Sequence, residues 1–184
     1  MKSTKGIATI LAALAGVAML IAGPIMVLKG FNGQTQVRHQ LSAQKIVFPP
    51  KGSEGLPAAE AGFAGQHVVT GPQAKAYADM VETHVRAATG GQTYSEVSAK
   101  FLATGGTDTK LGAVRQTAFM GESLRGSLMG AYQAWEVTWL VIGLGALVTG
   151  LGFVFLGIAA AIKPRRVKVP ASPESLFTTE AVTS

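Results

Sequence analysis

The chain has 184 residues and no cysteine, with 48% apolar residues, 14% charged residues and a formal net charge of +6. Soluble domains carry about 25% charged residues, so this chain has a marked deficit of charge. The composition excludes an ordinary cytosolic domain, a disulfide scaffold, metal sites built on cysteine, and cysteine nucleophiles. The deficit is concentrated in two uncharged apolar stretches, residues 7–28 and 137–162.

Both apolar stretches are long enough to cross a bilayer as α-helices. At 1.5 Å per residue they extend about 33 Å and about 39 Å, and the hydrocarbon core of a bilayer is about 30 Å thick. The first stretch follows Lys2 and Lys5, as in a signal peptide, but its apolar run is longer and no small-residue cleavage site follows before Lys29. We therefore predict an uncleaved anchor, with a signal peptide as the alternative.

Basic residues near the ends of the two stretches predict their orientation. Lys2 and Lys5 precede the first stretch. A basic cluster follows the second stretch and consists of Lys163, Arg165, Arg166 and Lys168. Positive charge near span ends stays in the cytoplasm, whereas long loops cross the membrane largely regardless of charge. Both termini are therefore predicted to be cytoplasmic, and the basic cluster is predicted to bind anionic lipid headgroups.

These predictions divide the chain into the five parts of an all-α protein of the cytoplasmic membrane. Residues 1–6 are a cytoplasmic N-terminus, and residues 7–28 and 137–162 are two antiparallel transmembrane helices. Residues 29–136 between them form a mainly helical extracytoplasmic domain. Residues 163–184 are a cytoplasmic tail that is first basic and then disordered, because it has little apolar surface to bury.

The beginning of the outer domain has the weakest pattern. Gly30 and Gly33 predict the end of the first membrane helix, and a short separate helix is predicted over residues 34–44. A brief extended run over residues 45–48 ends at two prolines. Residues 51–65 are rich in glycine, proline and alanine and are predicted to form an irregular loop.

Three amphipathic helices are predicted in the rest of the outer domain. Thr-Gly-Pro at residues 70–72 opens the first, and the glycine pair at residues 90–91 ends it. Thr93 and Glu96 form a capping box that opens the second helix. The third begins near Thr107 and meets no helix breaker, so we predict that it continues without interruption into the second span.

Glycines recur at seven-residue intervals in both spans. Small residues at this spacing form a stripe on one helix face and let helix backbones approach closely in lipid. The predicted packing residues are Gly16, Gly23, Gly143, Gly150 and Gly157. They are expected to pack either within an antiparallel hairpin or between copies of the chain.

Two features of the third outer helix suggest contacts. Gly121, Gly126 and Gly130 weaken a helix by up to about 1 kcal/mol each relative to alanine, which predicts a close neighbour: another outer helix, a second copy or a different protein. Glu122 and Arg125 are spaced i, i+3, so Arg125 either forms an intrahelical ion pair or contacts a partner.

The sequence contains no recognisable catalytic or metal motif. Its histidines are His39, His67 and His84, and no two of them have the spacing HxH or HxxxH. It has no GxSxG motif and no phosphate-binding loop. We therefore expect no catalytic residue, no metal and no cofactor. Nucleic acid is not an expected partner, because the excess positive charge follows the second span instead of forming a basic face with aromatic residues.

Five segments resemble a group of small actinobacterial two-span membrane proteins. They are LSAQKIVFP at 41–49, AGFAGQHV at 61–68, YAD at 77–79, TYSEVS at 93–98 and GESLRG at 121–126. The resemblance covers both spans and most of the outer domain, and it implies a membrane protein of the cell envelope. Members often carry the label "aromatic ring-opening dioxygenase", which implies an iron site and a catecholic substrate pocket.

Three functions are therefore compared. The first is a non-enzymatic accessory or structural subunit of an envelope membrane complex, or a homo-oligomer; its partners are the lipid bilayer and membrane proteins. The second is an iron-dependent aromatic ring-opening dioxygenase. The third is a ligand-sensing or pore-forming oligomer, although the spans contain no charged residue that would line an ion path.

Overall fold

The computed structural model describes residues 2–162 of the chain, and this part is helical without any strand. Its four α-helices are α1 (Lys2–Ala43), α2 (Gly71–Thr89), α3 (Tyr94–Ala103) and α4 (Thr109–Ile162), and a short 3-10 helix covers Ala58–Phe63. A single antiparallel β-bridge joins Val47 to His67 in the connection between α1 and α2. The fold class is therefore all-α, as the sequence predicts.

Helices α1 and α4 are both long and apolar enough to cross a membrane. Their 42 and 54 residues correspond to about 63 Å and about 81 Å of helix. Their most apolar windows have mean hydropathies of 2.4 and 2.3, and 11% of the residues in each window are buried. A helix this apolar inside a soluble protein would be mostly buried, so the surfaces of α1 and α4 are unusual for a protein surrounded by water.

Helix α1 does not end where the sequence predicts. It continues through Gly30 and Gly33 as far as Ala43, and the predicted separate helix over residues 34–44 is its last part. Both glycines face α4 at a close approach: Gly33 lies against the side chain of Thr138, and Gly30 lies against Thr138 and Ile142. The prediction of a break was wrong because these glycines provide space for a neighbouring helix and do not terminate their own.

The three predicted outer helices are confirmed. Thr70 caps α2 through a reciprocal capping box with Gln73, and Gly90 ends the helix in the left-handed conformation. Thr93 and Glu96 form the predicted box at the start of α3. Helix α4 runs without interruption from the outer domain through the second apolar stretch.

Helices α1 and α4 run antiparallel with their backbones in contact. A Cβ atom added to Gly16 would lie 2.9 Å from the carbonyl oxygen of Gly152, and one added to Gly152 would lie 3.0 Å from that of Gly16. Gly23 and Gly145 face each other in the same way, with 2.7 Å from a Cβ on Gly145 to the Gly23 oxygen. Any larger residue at these four positions would separate the two helices.

The core of the outer domain is a three-helix contact. Val37 and Leu41 at the end of α1 are buried with alanines of α2 and with Leu128 and Trp135 of α4. Phe48, which is 1% exposed, closes this core from the connection. The close approach of α2 to α4 requires Gly71, since a side chain there would overlap Trp135.

Candidate functional site

The second span packs in the hairpin through a different stripe from the one predicted. Gly143, Gly150 and Gly157 have no other atom within 4 Å of the position a Cβ would take, and all three are exposed. Gly145 and Gly152 face α1 instead. For the hairpin, the predicted stripe was wrong because both sets of glycines have the same period of seven, and periodicity alone does not determine which face meets the partner helix.

Gly126 and Gly130 also have no neighbour among the described residues. No atom lies within 4 Å of a Cβ built at either position, so another helix of the described chain is not the neighbour of these two glycines. For Gly121 that alternative holds, because a Cβ there would overlap the side chain of Val85 on α2. A second copy or a different protein remains as the possible neighbour of Gly126 and Gly130.

Arg125 links α4 to α2. Its Nη1 donates to Glu122 at 3.3 Å, which is the intrahelical pair expected from the sequence. Its Nη2 lies 2.8 Å from Oε2 of Glu82 on α2, a contact that the sequence analysis missed. The sequence feature that could have indicated this contact is the position of Glu82 on the charged side of α2. Arg125 is thus paired within the chain through Nη1 and Nη2, whereas its buried Nε has no hydrogen-bond partner in the described part of the chain.

An apolar groove of about 690 Å³ lies between α2 and α4 and is here called the upper groove. Its α2 wall is formed by Val81, His84, Val85 and Ala88, and its α4 wall by Thr117, Phe119, Met120, Gly121, Ser123 and Leu124. Phe119 is 52% exposed, Met120 59% and Leu124 39%. Large apolar side chains exposed together in this way usually mark an interaction surface.

A smaller cleft of about 240 Å³, here called the lower cleft, lies between the end of α1 and α4. Its α4 side is formed by Leu124, Ser127, Leu128, Gly130, Ala131 and Ala134. Leu124 lines both clefts, so they adjoin along one side of α4. The upper groove begins where α1 stops: Val37 and Leu41 fill the space between α2 and α4 below it, and α1 ends at Ala43.

The side of α4 that lines both clefts carries no charge. Between residues 116 and 135, α4 has only two charged residues, Glu122 and Arg125. Both line a separate polar cleft of about 480 Å³ on another side of the helix. We call the exposed part of the uncharged side the α4 face; it comprises Phe119, Met120, Ser123, Leu124, Ser127, Gly130 and Ala134.

The three histidines of the chain lie on three different elements. His39 lies on α1, His67 in the connection and His84 on α2, and each is exposed. Within residues 2–162, no group of three or more histidine, aspartate or glutamate residues could hold a metal ion. Glu60 is 8% exposed, and its Oε2 has no hydrogen-bond partner in the described part of the chain.

Other predicted residues lie outside the part of the chain that the structure describes. They are the headgroup-binding residues Lys163, Arg165, Arg166 and Lys168. No family model matches the chain, and neither a curated protein nor a solved structure matches it. The function is therefore inferred from the geometry of the α4 face and its two clefts.

Proposed function

We propose that this chain is a non-enzymatic, two-span membrane protein that serves as an accessory or structural subunit in an assembly of the cell envelope. The hairpin of α1 and α4 anchors the protein, both termini lie in the cytoplasm, and the helical outer domain lies outside the cytoplasmic membrane. The outer domain presents the α4 face to another protein or to a second copy.

The observation that carries this proposal is the exposed α4 face. It lies on the outer part of α4, beyond the apolar stretch at residues 137–162, where lipid does not cover apolar side chains. Phe119 and Met120 are more than half exposed there, at 52% and 59%. An uncharged surface with exposed aromatic and methionine side chains has the composition of a protein interface.

The membrane assignment is supported by exposure and by charge. The apolar windows of α1 and α4 are 11% buried, as expected for helices whose side chains meet lipid. Lys2 and Lys5 precede the first apolar stretch, and the basic cluster follows the second apolar stretch in the sequence. That arrangement supports a cytoplasmic location for both termini.

The test is purification of the full chain in a mild detergent, with the mass of the protein component measured by light scattering. We expect a mass well above the 19.0 kDa of one chain, from further copies or from co-purifying membrane proteins. A variant with Met120→Glu and Leu124→Glu should elute as a smaller species, because the charges disfavour burial of the α4 face. A parent protein that is a lone monomer would contradict the proposed function.

A further inference from the structure

We propose that the α4 face is the contact between two copies of this chain, which associate outside the membrane as a parallel dimer. This inference rests on the proposed function, because it requires that α4 be anchored in the membrane and project from it. It goes further by naming the partner as a second copy and by locating the contact on one side of α4.

The α4 face is free of charged side chains. A surface that binds its own copy about a two-fold axis brings each side chain near its counterpart, so a charged residue near the axis meets a like charge. The α4 face has no charged residue over about four helical turns. Glu122 and Arg125 lie in the polar cleft on another side, where Arg125 is paired with Glu82. The face is thus compatible with self-association without repulsion.

Side chains of the α4 face are large in its upper part and small in its lower part. Its upper part carries Phe119, Met120 and Leu124, which project from the helix and are exposed. Its lower part carries small residues, including Ser127 and Gly130. No atom of the described chain lies within 4 Å of a Cβ built on Gly130. No contact made at that position within the chain therefore offsets the loss of helix stability that this glycine causes. Small residues at this level let a second α4 approach closely.

The upper groove lies between the same two helices, α2 and α4, that form the buried cluster with the end of α1. Near the end of α1, Val37 and Leu41 belong to one buried cluster with alanines of α2 and with Leu128 of α4. Above it, the same two helices leave an apolar groove of about 690 Å³ open. Met120 of a second copy lies at the height of this groove and has the flexible apolar side chain to fill it.

Anchoring in the membrane restricts how two copies of the chain can meet. Copies anchored by the same hairpin share one orientation and one height, so the α4 face of one copy meets the α4 face of the next at the same level. The closed arrangement is a two-fold axis along the membrane normal, in which each residue of the face lies close to the same residue of the other copy. Other faces of α4 are covered by α2 and α3 or carry Glu122 and Glu136.

The absence of cysteine allows a direct test with single-cysteine variants of the full chain in native membranes. Ser127→Cys places a thiol on the α4 face, and Thr83→Cys places one at an exposed position on α2 as the matched control. On mild oxidation, we expect Ser127→Cys to form a disulfide-linked dimer about tenfold faster than the control, because thiols held together have a high effective concentration.

A second variant distinguishes a specific dimer from chance encounters between copies in the membrane. Met120 is 59% exposed, so Met120→Glu is compatible with folding, and in the Ser127→Cys background it should slow cross-linking about tenfold through like charges at the axis. Equal rates for Ser127→Cys and Thr83→Cys, or cross-linking at Gly150→Cys alone, would overturn the dimer. A Ser127→Cys product that contains a different protein would also overturn it, while leaving the proposed accessory function in place.

Discussion

At the scale of single residues, glycine has two different uses in this chain. Gly16, Gly23, Gly145 and Gly152 bring two helix backbones into contact, whereas the glycines at 90 and 91 adopt positive φ values after a helix end. The sequence identifies glycine-rich stripes but does not distinguish Gly145 from Gly143, which lies two positions earlier. Since both belong to a stripe with period seven, only the direction of the partner helix separates them.

The hairpin contact makes a prediction with a matched control in the same helix. Gly145→Leu should destabilise the protein by about 1–3 kcal/mol or more, because overpacking a close contact forces the helices apart. Gly143→Leu, at an open position, should leave stability nearly unchanged. Thermal unfolding in detergent, followed by circular dichroism, measures both. Equal loss in the two variants would show that α1 does not pack on the Gly145 side.

At the scale of elements, local signals in the sequence were sufficient where a helix end is closed by its own residues. The capping boxes and the glycine pair at residues 90–91 determine α2 and α3, because their hydrogen bonds connect residues only three or four positions apart. The end of α1 was predicted wrongly because tertiary packing against Thr138 and Ile142 keeps Gly30 helical.

The capping box of α3 predicts a pH dependence. The backbone amide and hydroxyl of Thr93 donate to Glu96 and lower the pKa of its carboxyl below the usual value. Since the folded state binds its proton less readily, the contribution of Glu96 to stability is complete above about pH 4.3, the usual pKa of an unfolded glutamate, and is lost as the pH falls through the lower folded-state pKa.

This dependence can be measured by hydrogen exchange of the α3 amides. Protection in the parent protein should decrease on acidification, relative to α2. In Glu96→Gln, whose amide oxygen also accepts from Thr93 but does not titrate, that relative decrease should be absent. An unchanged acid response in the variant would mean that another group is responsible.

At the scale of the whole molecule, the single long helix α4 runs from its contacts with α2 and α3 to its contact with α1. It carries the hairpin contact at Gly145 and Gly152, and it carries the α4 face in its outer part. Because α4 is a continuous helix, the position of the α4 face relative to the hairpin contact is determined by the helix itself.

Single-cysteine labelling tests the orientation of the whole molecule. Thr83→Cys should react with a membrane-impermeant maleimide in intact cells, because α2 is predicted to lie outside the cytoplasmic membrane. Ser3→Cys should react only after the membrane is permeabilised, and the cysteine-free parent gives the background. Labelling of Ser3→Cys in intact cells, at the rate of Thr83→Cys, would reverse or exclude the proposed topology.

The amino-acid sequence by itself determined the helical class, the two apolar stretches, the helices α2 and α3, and the uninterrupted course of α4. These features follow from hydropathy, caps and the absence of breakers, all of which act over a few neighbouring residues. Only the tertiary structure decided that Gly145 and Gly152 face α1, that Arg125 joins Glu82, and that a groove opens above the end of α1. These features depend on which helix faces meet, and residues distant in the chain determine that together.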